Sequence, residues 1–415
     1  MSGDSSVLFL GRQPIVDKDA QLIGYELLYR NESGTSAMQN EQSATANVLT
    51  HTLSLSGIDS IVGKHLAFVN VDAKFLKHDM ILSVPPARFV FELDVPSSRD
   101  EESLKRLKEL YEKGYQFAFC IDDVSDNTVE YAKNVVEYIS YIKLNTMQVE
   151  KEKLFKVLLT LGSSQKTLIA THVETKELFE SFFDMGFELF QGYFFAKPEM
   201  VSSSQISSDS AMVISLCNLL TTDASTEEIV EGFSAVPTIS MHLIQYLNSC
   251  AFNFKDSVDS IGRMVTLLGR KPLLQWLFLT LYASNDASQE NNAILLTVQQ
   301  RTQLIVDLLK VVNPEVSKEE ISKAYFVGLL SLMHIIVKQP LEEFLESIHI
   351  EDSIKEALLE KRGLLGEIFE VSIAIEQFDL AITEAFMLEH DIAPANFQKF
   401  LFRSFECANT FKIQS

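Results

Sequence analysis

The feature that most constrains the fold is a change of hydrophobic period near residue 200. From residue 7 to about 198 the chain alternates strand-length apolar runs with longer helical patterns. The runs are VLFLGRQPIV, HLAFVNV, RFVFELDV, YQFAFCIDD, ISYIKLN, KTLIATHVE and FELFQGYFF. Between them lie segments such as SRDEESLKRLKELYEKG and VSDNTVEYAKNVVEY, with apolar residues three and four apart. Short runs rich in Val, Ile and Phe, each followed by a helical pattern, argue for a parallel sheet covered by helices. About seven such repeats predict an α/β TIM-like barrel rather than an open sheet.

Most of the runs turn polar near their C-terminal ends: Asn70, Glu92 with Asp94, Asp122 with Asp123, Lys143 with Asn145, Thr171 to Glu174, and Gln191. A lone polar residue at a strand end is usually a cap or a loop anchor. In a barrel, however, these ends converge on one face, where such folds place their sites. A recurring set of acids, amides and a lysine at that face predicts a converged site, working or ancestral.

After a serine-rich stretch, the linker expected at 201–210, the pattern becomes helix alone through 211–415. Segments such as SAMVISLCNLL, RKPLLQWLFLTLYA and LLTVQQRTQLIVDLLKVV carry apolar stripes at three and four. Start signals agree: Ser225-Thr226 precede Glu227 and Glu228, and Ser317 precedes Lys318, Glu319 and Glu320. The expected organisation is a barrel over 1–200 and an all-helical domain over 211–415, with no short-period repeat that would make a solenoid.

Composition narrows the function classes. The net charge of −22 argues against direct nucleic-acid binding, because affinity for phosphate backbones comes from Lys and Arg. Cys120, Cys217, Cys250 and Cys407 show no metal-ligand spacing, which fits buried thiols in a reducing compartment. No run has the length of a transmembrane helix, and the N-terminus lacks a signal-peptide pattern. The expectation is a cytoplasmic protein that uses no membrane.

The stretches "GRQPIVDKDAQLIGYELLYR" and "FQGYFFAKP" make the first half resemble the EAL domain. That family is a TIM-like barrel whose active members hydrolyse cyclic di-GMP with divalent metal ions. "YLNSCAFNFKDSVDSIGRMVTLLGRKPLLQW" and "AYFVGLLSLMHIIVKQPLEEFLESIHIEDSIKEALLEKRGLLG" make the second half resemble the HDOD domain. HDOD is a helical relative of the HD phosphohydrolases that lacks their metal ligands. The two domains in this order are a known bacterial signalling architecture, and the resemblance covers nearly the whole chain.

The resemblance implies roles residue by residue. Glu26, within Tyr25-Glu26-Leu27, takes the place of the signature carboxylate, with Asn70, Glu92, Asp122 and Asp123 as further metal ligands. Arg30 corresponds to a phosphate contact, Gln13 to a guanine contact, Lys143 to the lysine of Lys-Ile-Asp, and Gln191 to the glutamine of Gln-Gly-Tyr. Oxygen ligands from several strands suit hard divalent cations.

Departures fall where the chemistry lies. The family's Ala-Glu-Gly-Val-Glu becomes Ala170-Thr171-His172-Val173-Glu174, so a threonine replaces the glutamate associated with water activation. Threonine takes no proton at neutral pH, and loss of a general base removes about 10²–10⁴ of rate. Histidine as a residue type can serve as a base near neutral pH, but strand alternation predicts that His172 faces away from the site. Asn145 replaces the aspartate of Lys-Ile-Asp, Val124-Ser125-Asp126-Asn127 replaces a glycine-bearing loop, and Asp94-Val95 ends the Glu-Leu-Thr-Glu run. No catalytic set is intact: Lys143 and Glu174 remain as vestiges, while Thr171 and Asn145 mark the lost base and acid. The plain structural alternative is that Glu92 or Asp122 persists by pairing with Lys143, without metal.

In the helical half, the His-Asp metal pair of HD phosphohydrolases is replaced at Gly328-Leu329-Leu330-Ser331-Leu332. His334 reads as a core histidine, His242 and His349 are isolated, and Trp276 reads as core. The expected protein therefore acts by binding in cyclic di-GMP circuits such as motility or biofilm control. Its expected partners are cyclic di-GMP and proteins that meet the helical domain, and homodimerisation is left open. No cofactor is expected, with Mg²⁺ or Mn²⁺ only where the vestigial site still holds metal. The alternatives are a slow metal-dependent phosphodiesterase and a scaffold that binds no nucleotide.

Overall fold

The computed structural model describes residues 8–31, 57–93, 100–121, 125–147, 166–194, 208–236, 261–284 and 292–410, with positions 239, 240 and 243. The chain divides into two compact units, Met1–Lys197 with Ala374–Asn409, and Pro198–Ile373 with Thr410–Ser415. The expected 211–415 domain did not anticipate that residues Ala374–Asn409 belong with the barrel. Of the expected linker, 201–207 lies outside the described residues, and 208–210 is already helical.

The first unit is a closed barrel of eight strands in sequential order. They are β1 (Leu8–Asp17), β2 (Leu22–Asn31), β3 (Leu66–Asn70), β4 (Phe89–Leu93), β5 (Gln116–Ile121), β6 (Tyr141–Asn145), β7 (Thr167–Thr171) and β8 (Leu189–Gln191). The seven expected strands are present, and β2 is an addition. β1 runs antiparallel to both β2 and β8, which corrects the all-parallel expectation. The cause is the short link after Asp17, where Ala20 N–H donates to Asp17 O and Asp17 Oδ1 accepts from the amides of Asp19 and Gln21. A connection this short can only fold the chain back on itself.

Alternation along the strands builds the interior in layers. Ile15, Phe68, Val90, Ala118, Ile169 and Leu189 form a buried floor across the barrel. Each of these side chains except Ala118 contributes roughly 1.5–3 kcal/mol. Gly24 leaves room for this floor, since a Cβ there would lie 2.8 Å from the Phe68 ring. Two residues further towards the mouth on the same faces come Gln13, Asn70, Glu92, Cys120, Thr171 and Gln191. Glu26, two beyond Gly24, and Lys143, two beyond Tyr141, complete this polar layer.

Helices α1 (Ile58–Val62), α2 (Ala73–Lys77), α3 (Glu101–Glu112), α4 (Asp126–Val135) and α5 (Lys176–Asp184) belong to the first unit. Side-chain caps start several of them: Asp100 accepts from Ser103 N–H for α3, and Thr175 from Leu178 N–H for α5.

The second unit is helical: α6 (Ser208–Thr221), α7 (Thr226–Ser234), α8 (Ile261–Leu268), α9 (Arg270–Ser284), α10 (Ala293–Val312), α11 (Lys318–Leu330), α12 (Met333–Val337), α13 (Leu341–Ser347) and α14 (Asp352–Leu359). Ser225 with Glu228 and Ser317 with Glu320 form reciprocal capping boxes at α7 and α11, where the sequence placed helix starts. α10 and α11 cross closely at Gly328, where a Cβ would lie 2.5 Å from Thr302 Oγ1. The last helices are α15 (Gly363–Glu376), α16 (Leu380–Glu389) and α17 (Pro394–Thr410), and from Ala374 to Asn409 they belong to the first unit.

Candidate ligand and metal site

The polar layer lines a cavity of about 440 Å³ at the barrel mouth. Its walls include Gln13, Glu26, Asn70, Glu92, Lys143, Asn145, Thr171, Glu174 and Gln191, every one singled out from the sequence. The expected convergence of strand ends is therefore geometric fact. Asp122, Asp123 and Asp94 lie outside the described residues, as do Val95 and Val124. Arg30 sits in β2 opposite Phe9, but its side chain is outside the description.

Glu26 is the hub. Its Oε1 accepts from Asn70 Nδ2 at 2.9 Å, and its Oε2 from Lys143 Nζ at 2.7 Å and Gln191 Nε2 at 2.5 Å. Lys143 Nζ donates also to Glu92 Oε1 at 2.6 Å, so one ammonium joins two buried carboxylates. Gln191 Nε2 donates further to Gln13 Oε1 at 2.7 Å. Its amide orientation is fixed by these two acceptors. Among the described residues no donor reaches the buried Gln191 Oε1, an acceptor on the cavity wall available to a ligand.

Two acids facing one base settle unequally. Burial works against the charge of Glu26, yet Lys143, with help from Gln191, holds its carboxyl down at about 2. Glu92 goes the other way: burial and the neighbouring Glu26 charge push it up to about 8, against the pull of Lys143. Burial opposes the Lys143 charge, but the two glutamates outweigh it and raise its pKa. The trio is stable as one carboxylate, one ammonium and one neutral acid.

Glu92 pairs with Lys143 at 2.6 Å, a contact the sequence reading allowed. The donor set still fits a hard dication in kind, since Glu26, Glu92 and Asn70 bring oxygen atoms to one place. Bound there, such an ion would polarise a phosphoryl oxygen or activate water. Lys143 already lies between the two carboxylates, so it and a cation would share the same anionic groups.

Thr171 is buried at the end of β7, and its hydroxyl donates to Leu144 O at 3.3 Å. His172 corrects the alternation argument. β7 ends at Thr171, and His172 adopts a left-handed backbone with φ 58°, so strand parity no longer governs its direction. Its Nδ1 lies 3.0 Å from Thr171 Oγ1, and the residue lines the cavity. Gly192 follows Gln191 for a steric reason: at φ 150° a Cβ would lie 2.1 Å from Val173 O.

Several cavity residues were missed, among them Arg12 and Leu28 of the first two strands. Cys120 faces inward two positions before Asp122, so strand parity could have found it. Ile375, Glu376, Gln377 and Phe378 also line the mouth, and nothing in their sequence announces it.

In the second unit, Ser331 and Leu332 stand at the place read for the His-Asp pair. The fully buried Arg301 donates to Ser331 Oγ at 2.8 Å, placing a cation where metal ligands would gather. His334 and Trp276 are buried, as expected of core residues. His242 lies outside the described residues and His349 is exposed. Among the described residues no helix is long and apolar enough to cross a membrane.

Comparison with known proteins places these two units. The EAL domain profile matches residues 73–198 and the HDOD domain profile residues 208–361. The uncharacterized protein YuxH of Bacillus subtilis is 24% identical over 377 residues, covering 89% of this chain and 90% of its own. The cyclic di-GMP phosphodiesterase CdgJ of Vibrio cholerae is 24% identical over 390 residues, covering 92% and 88%. Among solved structures, the FimX EAL domain from Pseudomonas aeruginosa bound to c-di-GMP is 20% identical and matches 46% of this chain and 90% of that one, with a TM-score of 0.37. An EAL domain protein from Listeria monocytogenes is 15% identical and matches 46% and 88%, with a TM-score of 0.36. The chain joins an EAL domain to an HDOD domain.

Proposed function

We propose that this is a signalling protein of cyclic di-GMP-linked circuits that works by binding rather than turnover. The observation that carries the reading is Thr171. It stands at the wall of the mouth with its hydroxyl given to a backbone carbonyl, where water activation calls for a base. Asn145 beside it brings no charge. Groups suited to binding support the reading: Gln13, Gln191 with an Oε1 that no described residue donates to, and Arg30 in sequence. Incubation with cyclic di-GMP and Mg²⁺ or Mn²⁺ is expected to yield no linear dinucleotide, and clear turnover overturns the proposal. Calorimetric titration then separates sensor from scaffold, with Arg30→Ala abolishing any binding.

A second reading, slow metal-dependent hydrolysis, is favoured by His172 at the cavity wall and by the phosphodiesterase name of the Vibrio relative. It requires that His172→Ala remove whatever turnover is measured.

A further inference from the structure

The mouth has a roof, and the roof comes from the far end of the chain. α15 ends in a reciprocal closure: Asp379 N–H donates to Ala374 O at 2.7 Å, and Phe378 N–H to Ile375 O at 3.1 Å. This pattern places Phe378 in the left-handed region at φ 59°, where glycine is the usual residue. A bulky aromatic is disfavoured there, so its ring warrants a reason. That reason lies across the mouth. Gly11 is on the inward face of β1, two residues rimward of Gln13, and a Cβ built on it would lie 2.3 Å from the Phe378 ring. The ring therefore rests directly on the Gly11 backbone.

Two further ties hold the segment. Tyr193, the tyrosine after Gln191-Gly192, donates its hydroxyl to Glu376 Oε2 at 2.8 Å. At the end of α17, Asn409 Nδ2 donates to Ser60 O at 2.9 Å, and Asn409 Oδ1 accepts from Arg12 at 3.3 Å. The Arg12 guanidinium lies between the rings of Tyr25 and Phe405, 4.3 and 4.2 Å from their centroids. Hydrogen bonds and cation–π contacts thus anchor Ala374–Asn409 to the barrel at the rim, at α1 and on β1.

We propose that this segment is a built-in cap over the barrel mouth, with Phe378 as its plug and Glu376 as its latch. Resting on the reading of the mouth as a ligand site, we infer that the cap competes with the anionic ligand for Gln13, Gln191 and the space above Glu26. The Glu376 carboxylate at the rim adds repulsion towards a phosphodiester. A ligand that needs the uncapped state binds weakly by the fraction of molecules uncapped.

The test separates the cap from the ligand. Cys120 lines the cavity, so alkylation of its thiol by iodoacetamide, read by peptide mass spectrometry on the full chain, reports access to the mouth. Phe378→Gly removes the plug and suits the left-handed backbone; Tyr193→Phe releases the latch. With unchanged melting temperatures, both are expected to raise Cys120 alkylation by about tenfold or more. Unchanged alkylation in both variants overturns the cap. If alkylation rises and cyclic di-GMP binds more tightly, cap and ligand reading stand together. If alkylation rises and no variant binds cyclic di-GMP, the cap stands and the ligand reading fails.

Discussion

Replacing Glu92 by glutamine probes the charge balance at the heart of the mouth. In the folded chain Glu92 is pushed from 4.5 up to about 8 by burial and by the Glu26 charge. A raised acid favours folding fully while both states are protonated, below pH 4.5, and that share is lost as pH climbs through about 8. At about 1.4 kcal/mol per tenfold change in proton concentration, the interval sets a ceiling of ~5 kcal/mol. Glutamine cannot ionise, keeps an oxygen for Lys143, and leaves the Glu26–Lys143 pair at 2.7 Å. The stability of Glu92→Gln relative to the parent is therefore expected to improve between pH 5 and pH 9 by about 2–5 kcal/mol. Tryptophan fluorescence is unsuited to the measurement, because the single tryptophan, Trp276, belongs to the helical unit. Hydrogen exchange of peptides from β2, β4 and β6, with chelator present, reports on the barrel, and comparison at each pH cancels the intrinsic rate. A gap that stays flat across this range, or widens in favour of the parent, refutes the raised acid at Glu92.

Lys143→Met strands the buried Glu26 carboxylate beside the Glu92 carboxyl and is expected to cost the first unit about 3–5 kcal/mol, a drop of roughly 10 °C in its melting temperature. Added Mn²⁺ recovers part of that loss by taking the place of the ammonium, and a variant that melts with the parent contradicts the network. Gly192→Ala drives a Cβ into Val173 O in a backbone region closed to it, and calorimetry is expected to show a loss of about 2–4 kcal/mol. A loss below about 1 kcal/mol means that the strand end moves aside.

The barrel was legible because its strands are short, apolar and followed by helices, and because their polar ends share one parity. β2 escaped because LIGYELLYR places a glutamate and an arginine inside the run, so the alternation looks like a helix or a loop until the hairpin at Asp17 is considered. The His172 error came from carrying strand parity one residue past the end of the strand. Composition could not show that Ala374–Asn409 belongs with the barrel: its apolar stripes are those of any packed helix, and a left-handed phenylalanine carries no sequence mark. Resemblance supplied the roles of Gln13, Glu26 and Gln191; geometry adds that they touch.

The ammonium of Lys143 also bears on how such a chain can change over generations. A barrel whose buried acids relied on a bound ion for neutrality would be fragile whenever that ion was scarce, and selection for folding would then guard the catalytic set. Here the counter-charge is covalently attached, with Nζ 2.7 and 2.6 Å from its two carboxylates. The chain itself thus supplies a counter-charge to the two acids, whatever else the mouth comes to hold. A neutral side chain such as Thr171, which donates to Leu144 O and takes no part in that pairing, leaves the charge balance of the mouth untouched.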